Sequence, residues 1–375
     1  MNITIISVGP PYRGGISDLS SELYQSLSLE HHVEFINFSR QYPKILFPGK
    51  TEFKDGISSF KPPYDHKLID SINPLTWIKT AFAVKKYKSD WLIFRYWNPF
   101  FAPMIYTVSF FVNLISHTKI GLIADNLIPH EHSILDRVMA KLAMKKAHII
   151  FTLSKAVQDD AKMLCPRKKS YRLFHPLYES FINQQSKEEA RKMLGVTKPM
   201  VLFFGLIRPY KGVDTLLQAI PLLNQNGIAA EYWIVGESYE DEKPYFDMIQ
   251  NLNIQNDVRW KNTFVPDDAV QTYFNAADIV VLPYKTATQS GIIGIAYHMN
   301  RPVIVTDVGG LSEYIIEGET GYVVPPNNPE LIALSIENAL NKEQINALIE
   351  GVEHHKSKWS MASFTKLLVE ALHDN

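Results

Sequence analysis

The chain has 375 residues, enough for two domains of about 100 to 200 residues, each with its own core. Lys and Arg number 38 against 39 for Asp and Glu, so there is no net basic field to recruit nucleic acid. The single cysteine, Cys165, excludes an intrachain disulfide framework, and no Cys/His cluster has zinc spacing; a reducing, cytoplasmic compartment and no metal are the default expectations.

The first residues, Met-Asn-Ile-Thr-Ile-Ile-Ser-Val, lack the basic region and long apolar core of a signal peptide and read as a strand over Ile3 to Val8. The loop Gly9-Pro-Pro-Tyr-Arg-Gly-Gly-Ile16 follows, and then an amphipathic helix over Ser17 to Leu29. Strand, glycine loop and helix in that order open a nucleotide fold, but the spacing is not G-x-G-x-x-G, and a dehydrogenase reading loses its main support. Gly14 and Gly15 let backbone approach a substrate, or serve a turn that needs positive φ and nothing more.

His32 to Phe38 reads as a second strand and Ser39 to Asp70 as a long irregular segment rich in Pro and Gly. Trp77 to Lys88 has helical periodicity, and Trp91 to Tyr96 and Lys119 to Ala124 read as buried strands. The apolar stretch Trp97 to Ile115 is interrupted by Asn98, Pro99, Pro103 and Asn113, too soon to span a bilayer. Its aromatic residues read as core, with peripheral membrane contact, beside Lys85, Lys86 and Lys88, as a weaker expectation. The strand ending at Ala124 delivers Asp125-Asn-Leu-Ile-Pro-His-Glu-His132 to a sheet edge, where His130 and Glu131 are candidates to meet a substrate. A helix over Leu135 to Lys146, a strand over His148 to Thr152, and a helix over Lys155 to Leu164 capped by Ser154 follow, and Tyr171 to Pro176 closes the first half. The polar segment from about Glu179 to Lys198, holding a short helix, reads as the linker.

The alternation then restarts, with strands at Met200 to Phe204, Glu231 to Val235 and Asp257 to Trp260 and helices at Val213 to Gln225 and Asp267 to Ala276. The first of these strands ends in Gly205-Leu-Ile-Arg-Pro-Tyr-Lys-Gly212, where Arg208 and Lys211 form a cation pair suited to a di-anion. The strand Asp278 to Pro283 runs into Ala287-Thr-Gln-Ser-Gly-Ile-Ile, a helix start whose free amides and partial positive charge suit a phosphate; a serine cap alone requires no ligand. Thr288, Gln289, Ser290, Gly291 and Ile292 are the candidates there, and Pro302 to Thr306 followed by Gly309-Gly310 makes the next strand and loop.

Taken together, Gly9 to Ser17, Gly205 to Gly212, Ala276-Ala-Asp-Ile-Val-Val-Leu-Pro283 and Arg301-Pro-Val-Ile-Val-Thr-Asp-Val-Gly-Gly-Leu-Ser-Glu313, with Gly318 and Gly321, resemble the retaining glycosyltransferases of family 4. The resemblance implies an α/β chain of the GT-B fold, two Rossmann-like doubly wound parallel-sheet domains facing across a cleft. Their implied spans are 1–178, with a last helix at 360–375 packing back on this domain, and 199–358. It implies a UDP- or GDP-linked sugar donor on the second domain, a saccharide or lipid-linked acceptor on the first, transfer without an obligatory metal or cofactor, and a place in bacterial surface polysaccharide or glycolipid assembly at the inner face of the membrane. Read from the residues themselves, the candidate catalytic groups are His130, Arg208 and Lys211. Donor contacts fall to Gly14, Gly15, Arg208, Lys211, Thr288, Gln289, Ser290, Gly291, Ile292 and Ile295, and acceptor contacts to Tyr12, Arg13, His130 and Glu131. The chain departs from the family where its paired glutamates fall on Ala287 and Ile295, and where its phosphate-loop arginine falls on Leu206. It is similar in this to a bacterial subgroup with Thr-Gln-Ser-Gly. The alternative is a catalytically silent sugar- or nucleotide-binding protein.

Overall fold

The computed structural model describes residues 1–12, 14–43, 65–128, 134–179, 181, 183–238 and 240–375. The chain divides into two compact units, Met1–Pro176 with Met361–Asn375, and Leu177–Ser360. The first unit runs β1 (Asn2–Ile6), α1 (Gly15–Ser28), β2 (His32–Arg40), β3 (Asp65–Asp70), α2 (Pro74–Lys86), β4 (Trp91–Tyr96), α3 (Ala102–Ile115), β5 (Lys119–Ala124), α4 (Ile134–Met144), β6 (Ile149–Thr152), α5 (Lys155–Leu164) and β7 (Lys169–Arg172). Its strands pair in parallel in the order β3-β2-β1-β4-β5-β6-β7. Helices cover both faces of such a sheet, so its central strands are continuous apolar runs, and β4 and β6 are buried along their whole length.

The second unit contains α6 (Lys187–Leu194), β8 (Met200–Phe204), α7 (Val213–Gln225), β9 (Glu231–Val235), α8 (Lys243–Asn251), β10 (Val258–Lys261), α9 (Asp267–Ala276), β11 (Ile279–Leu282), α10 (Gly291–His298), β12 (Val303–Thr306), β13 (Gly321–Val324), α11 (Pro329–Leu340) and α12 (Lys342–His355). Its sheet is also parallel, in the order β10-β9-β8-β11-β12-β13. The last helix, α13 (Met361–His373), lies on the first unit, where Thr365 Oγ1 donates to Ser26 Oγ of α1 at 2.9 Å and Phe364 meets Phe174 edge-on. In each sheet the winding reverses once, between β1 and β4 and between β8 and β11. Loops at the C-terminal ends of those strands are where an open α/β sheet leaves room for a ligand.

Two readings of the sequence are corrected. The segment that reads as irregular up to Asp70 ends in β3, an edge strand that exposes Lys67 and Leu68 and so carries little of the apolar run that marks a buried strand. Residues 44–64 lie outside the described residues. The polar segment that reads as a linker is held on the second unit, because Asp278, at the start of β11, receives Lys187 Nζ at 2.6 Å, Arg191 at 3.2 Å and the Met200 amide at 2.7 Å. A capping box between Ser186 and Glu189 starts α6 there. The stretch from Trp97 to Ile115 turns through Pro99–Phe101 into α3, which buries Met104, Ile105, Val108 and Val112. Among the described residues no helix is long and apolar enough to cross a membrane.

Candidate functional site

The switch point of the second sheet gathers the loops 205–212, 283–290 and 306–310. Each is tied to its neighbour through backbone. Gly212 sits at φ 68, and a Cβ at this position would overlap the Pro283 carbonyl oxygen, so residue 212 has room for a hydrogen and nothing larger. The Lys285 amide donates to Tyr210 O at 2.7 Å, and Lys285 Nζ pairs with Asp214 at 2.6 Å. On the other side Gly309, at φ 57, presses against Ala287 O, the Gly310 amide donates to Thr288 O at 2.9 Å, and Thr306 Oγ1 donates to Tyr284 O at 2.5 Å. The middle loop is therefore clamped along most of its length.

Within this frame the side chains converge. Lys211 Nζ lies 4.9 Å from the centroid of the Tyr284 ring and 3.3 Å from where a Cβ on Gly205 would stand, and Ile292 Cδ1 lies 3.6 Å from that same point. The Tyr284 hydroxyl is 3.3 Å from Ser290 Oγ, which accepts from the Ile292 amide at 3.4 Å as the cap of α10. Thus the Lys211 ammonium, the Gly205 turn and the N-terminus of α10 share one small space although about 80 residues separate them in the chain. Arg208 precedes the short turn Pro209–Lys211, and Lys211 N donates to Arg208 O at 2.9 Å. Among the described residues neither Arg208 nor Lys211 forms an ion pair with a carboxylate. A half-buried lysine beside a helix N-terminus, with the half-buried Arg208 on the same loop, makes a site that favours a phosphate or diphosphate.

The remaining candidates fall into three groups. Thr288 and Gln289 precede α10 and Gly291 begins it; the buried Gln289 Oε1 has no hydrogen-bond partner among the described residues, and a Cβ at Gly291 would meet the Tyr178 ring at 2.6 Å. Ile295 is buried one turn along α10, only 6% exposed, and contributes packing. On the first unit Gly14 caps α1 at φ 112 with open space around it, and Gly15 is the first residue of that helix. Tyr12 belongs to the hydrophobic core at 3% exposure and holds the loop from beneath. Arg13, His130 and Glu131 lie outside the described residues.

Sequence reasoning missed Tyr284, since an aromatic at the end of an apolar strand carries no signal of the lysine above it. It also missed a network at the matching edge of the first sheet. Arg95 and Asp125 form a two-fold pair, Nε to Oδ2 at 2.8 Å and Nη2 to Oδ1 at 2.6 Å, with 6% and 8% of their side chains exposed. Arg95 Nη1 reaches Ser20 Oγ at 3.4 Å, and Ser20 is 2.7 Å from Ser7. His175 is buried beside them, its Nδ1 3.0 Å from Pro176 O, and burial, reinforced by the Arg95 cation, lowers its pKa to about 4. The signal was present in β4: an arginine inside the run Trp-Leu-Ile-Phe-Arg-Tyr must be paired. Beside it, Asn37 holds the first glycine loop, accepting from Gly9 N at 3.1 Å and donating to Pro10 O at 2.9 Å.

Residues 198–342, less than half of the chain, match a family model described as Glycosyl transferases group 1. Alpha-D-kanosaminyltransferase of Streptomyces kanamyceticus is 24% identical over 209 residues, 54% of this chain and 54% of that protein. D-inositol 3-phosphate glycosyltransferase of Corynebacterium glutamicum (strain R) is 28% identical over 185 residues, 47% of this chain and 44% of that protein. The chain thus spans about half the length of these curated relatives. Among solved structures, Anabaena HepE in complex with UDP aligns over 100% of both chains with a TM-score of 0.73 at 16% identity. With two parallel Rossmann-like sheets of seven and six strands, this likeness shows that the chain has the GT-B fold.

Proposed function

We propose that the chain is a retaining glycosyltransferase that moves a sugar from a UDP- or GDP-linked donor to a saccharide or glycolipid acceptor, in assembly of a surface polysaccharide or glycolipid. The observation that carries this reading is the convergence of Lys211 and the α10 N-terminus at the switch point of the second sheet, with Arg208 on the same loop as Lys211. The match of residues 198–342 to group 1 glycosyl transferases supports it. In the reaction the bond from the sugar's anomeric carbon to the donor diphosphate breaks, and a bond to the acceptor oxygen forms on the same face. The acceptor's proton passes to the leaving diphosphate. Arg208, Lys211 and the amides at Ser290 and Gly291 stabilise the charge that develops on it. His130, which follows β5 in the sequence, is assigned a place near the reacting sugar. Peripheral contact with the inner face of the membrane is assigned to α3, which exposes Phe110 and Leu114.

Thermal unfolding with UDP, GDP and their sugars tests the reading, since a ligand that binds only the folded state must raise its stability. One nucleotide diphosphate should raise the midpoint, and Ser290→Ala should weaken that nucleotide several-fold to about a hundredfold, because a buried phosphate oxygen left unpaired costs about 1–3 kcal/mol. If no nucleotide shifts the midpoint, or if Ala287→Glu tightens binding while Ser290→Ala is silent, this account of the donor site is wrong. A second reading, a catalytically silent binding protein, rests on Ala287 and Ile295 standing where the family's glutamates fall. Nucleotide binding with neither sugar transfer nor donor hydrolysis would favour it.

A further inference from the structure

The chain as a whole is nearly neutral, yet one edge of the first sheet is not. At the N-terminal ends of β5, β6 and β7, opposite the edge that carries the loops after β1 and β5, a depression of about 560 Å³ is lined by Lys119, Lys145, Lys146, Arg167, Lys168 and Lys169, together with His148. Among the described residues no Asp or Glu side chain lines it. Lys85 and Lys88 continue the same rim past Lys119 toward the start of β4, where Asp90 Oδ2 is taken up by the Asn2 amide at 2.7 Å.

The cations are held in place. Lys168 Nζ donates to the carbonyls of Ala147 at 2.6 Å and Lys145 at 3.0 Å, so its charge is fixed at the floor. Lys119 and Lys169 converge on Asn375, one on its main-chain oxygen at 2.8 Å and the other on its side-chain oxygen at 2.6 Å. Lys145 and Lys146 lie over the rings of Tyr106 and Phe110 at 5.7 and 5.4 Å. His148 Nδ1 accepts from the Ile120 amide at 3.0 Å, which leaves its Nε2–H as a neutral donor. Burial, and then the charges of Lys168 and Lys119, keep this imidazole below its usual pKa, as a region with excess positive charge should. Asn375 and two carbonyls already answer Lys119, Lys169 and Lys168, but Lys145, Lys146 and Arg167 have no carboxylate partner among the described residues. Like charges so gathered repel one another, and a polyvalent anion relieves that repulsion while its oxygens take up the remaining donors.

We propose that this depression binds a polyvalent phosphate, either a soluble di- or polyphosphate or the phosphate headgroups of an anionic bilayer. The site lies on the first unit and does not depend on glycosyl transfer. Two probes separate the sources: inorganic pyrophosphate followed by calorimetry, and phosphatidylcholine vesicles with or without about 30% phosphatidylglycerol followed by co-sedimentation, all near 0.1 M salt. At least one probe should bind, and Lys146→Glu/Arg167→Glu should weaken it by about tenfold or more, since each basic residue near an anionic surface contributes comparably and reversal removes two charges per site. Loss of pyrophosphate binding identifies a soluble ligand; loss of phosphatidylglycerol-dependent binding identifies headgroups. If the charge-reversed protein does not fold, Lys146→Gln/Arg167→Gln takes its place, with a smaller loss expected. Failure of both probes to bind the wild type, or binding that the folded variant retains in full, overturns the proposal.

Discussion

The switch points of the two sheets are built from the same plan and filled in opposite ways. At the first, the charged groups answer one another: Arg95 and Asp125 pair two-fold within the protein, His175 is kept neutral beside them, and Asn37 occupies the glycine loop's polar groups. At the second, Lys211 stands beside a helix N-terminus and neither it nor Arg208 on the same loop has a carboxylate partner among the described residues, while glycines bring bare backbone close. The lesson is that a perturbed or charged group at a sheet edge is not by itself a ligand site. What matters is whether its charge is already answered inside the fold. Changes at the first switch point should therefore cost stability, and changes at the second should cost ligand binding.

The largest effect is expected at the closed network. Asp125→Ala leaves the Arg95 guanidinium buried without its partner and should destabilise the protein by about 3–5 kcal/mol, read as a lower urea midpoint. A cost below about 1 kcal/mol would mean that water reaches Arg95 and the network is open. Next comes its response to acid. In the fold His175 titrates at about 4, against 6.5 for the ordinary imidazole, so the unfolded chain binds more protons between those values. Stability should fall as pH drops from 6.5 to 4, by about 3 kcal/mol in total, and level off below. His175→Gln should flatten that window, and an unchanged slope would show that other groups set it.

Smaller effects sharpen the other half of the contrast. Lys211→Ala should weaken nucleotide-diphosphate binding by about 1.5–3 kcal/mol in a titration while the urea midpoint stays put, because no internal partner is orphaned. A stability loss with unchanged affinity would make Lys211 structural and erase the difference between the two sites. Tyr284→Leu removes the ring beneath Lys211 and should cost only about 0.5–1 kcal/mol of the same affinity. Equal affinity in Tyr284→Leu and wild type would show that the ring does not position the ammonium.

The sequence by itself determined the alternation of buried strands and helices and the restart of that alternation near Met200, and it singled out the loops 205–212 and 287–292 as candidates for phosphate chemistry. These are local properties: a strand buried on both faces is apolar along its length, a helix start needs a cap, and glycines bounding a cationic loop mark a close approach. Edge strands such as β3 escaped notice because one exposed side dilutes the pattern. Only the tertiary structure decided strand order, and with it that those two loops meet at one switch point although about 80 residues lie between them. Only it showed that Tyr284 lies under Lys211, that Tyr12 supports its loop from within the core, and that Arg95 and Asp125 satisfy each other. Contacts between distant segments are set by how helices and sheet pack as whole bodies, and no short stretch of sequence carries that geometry.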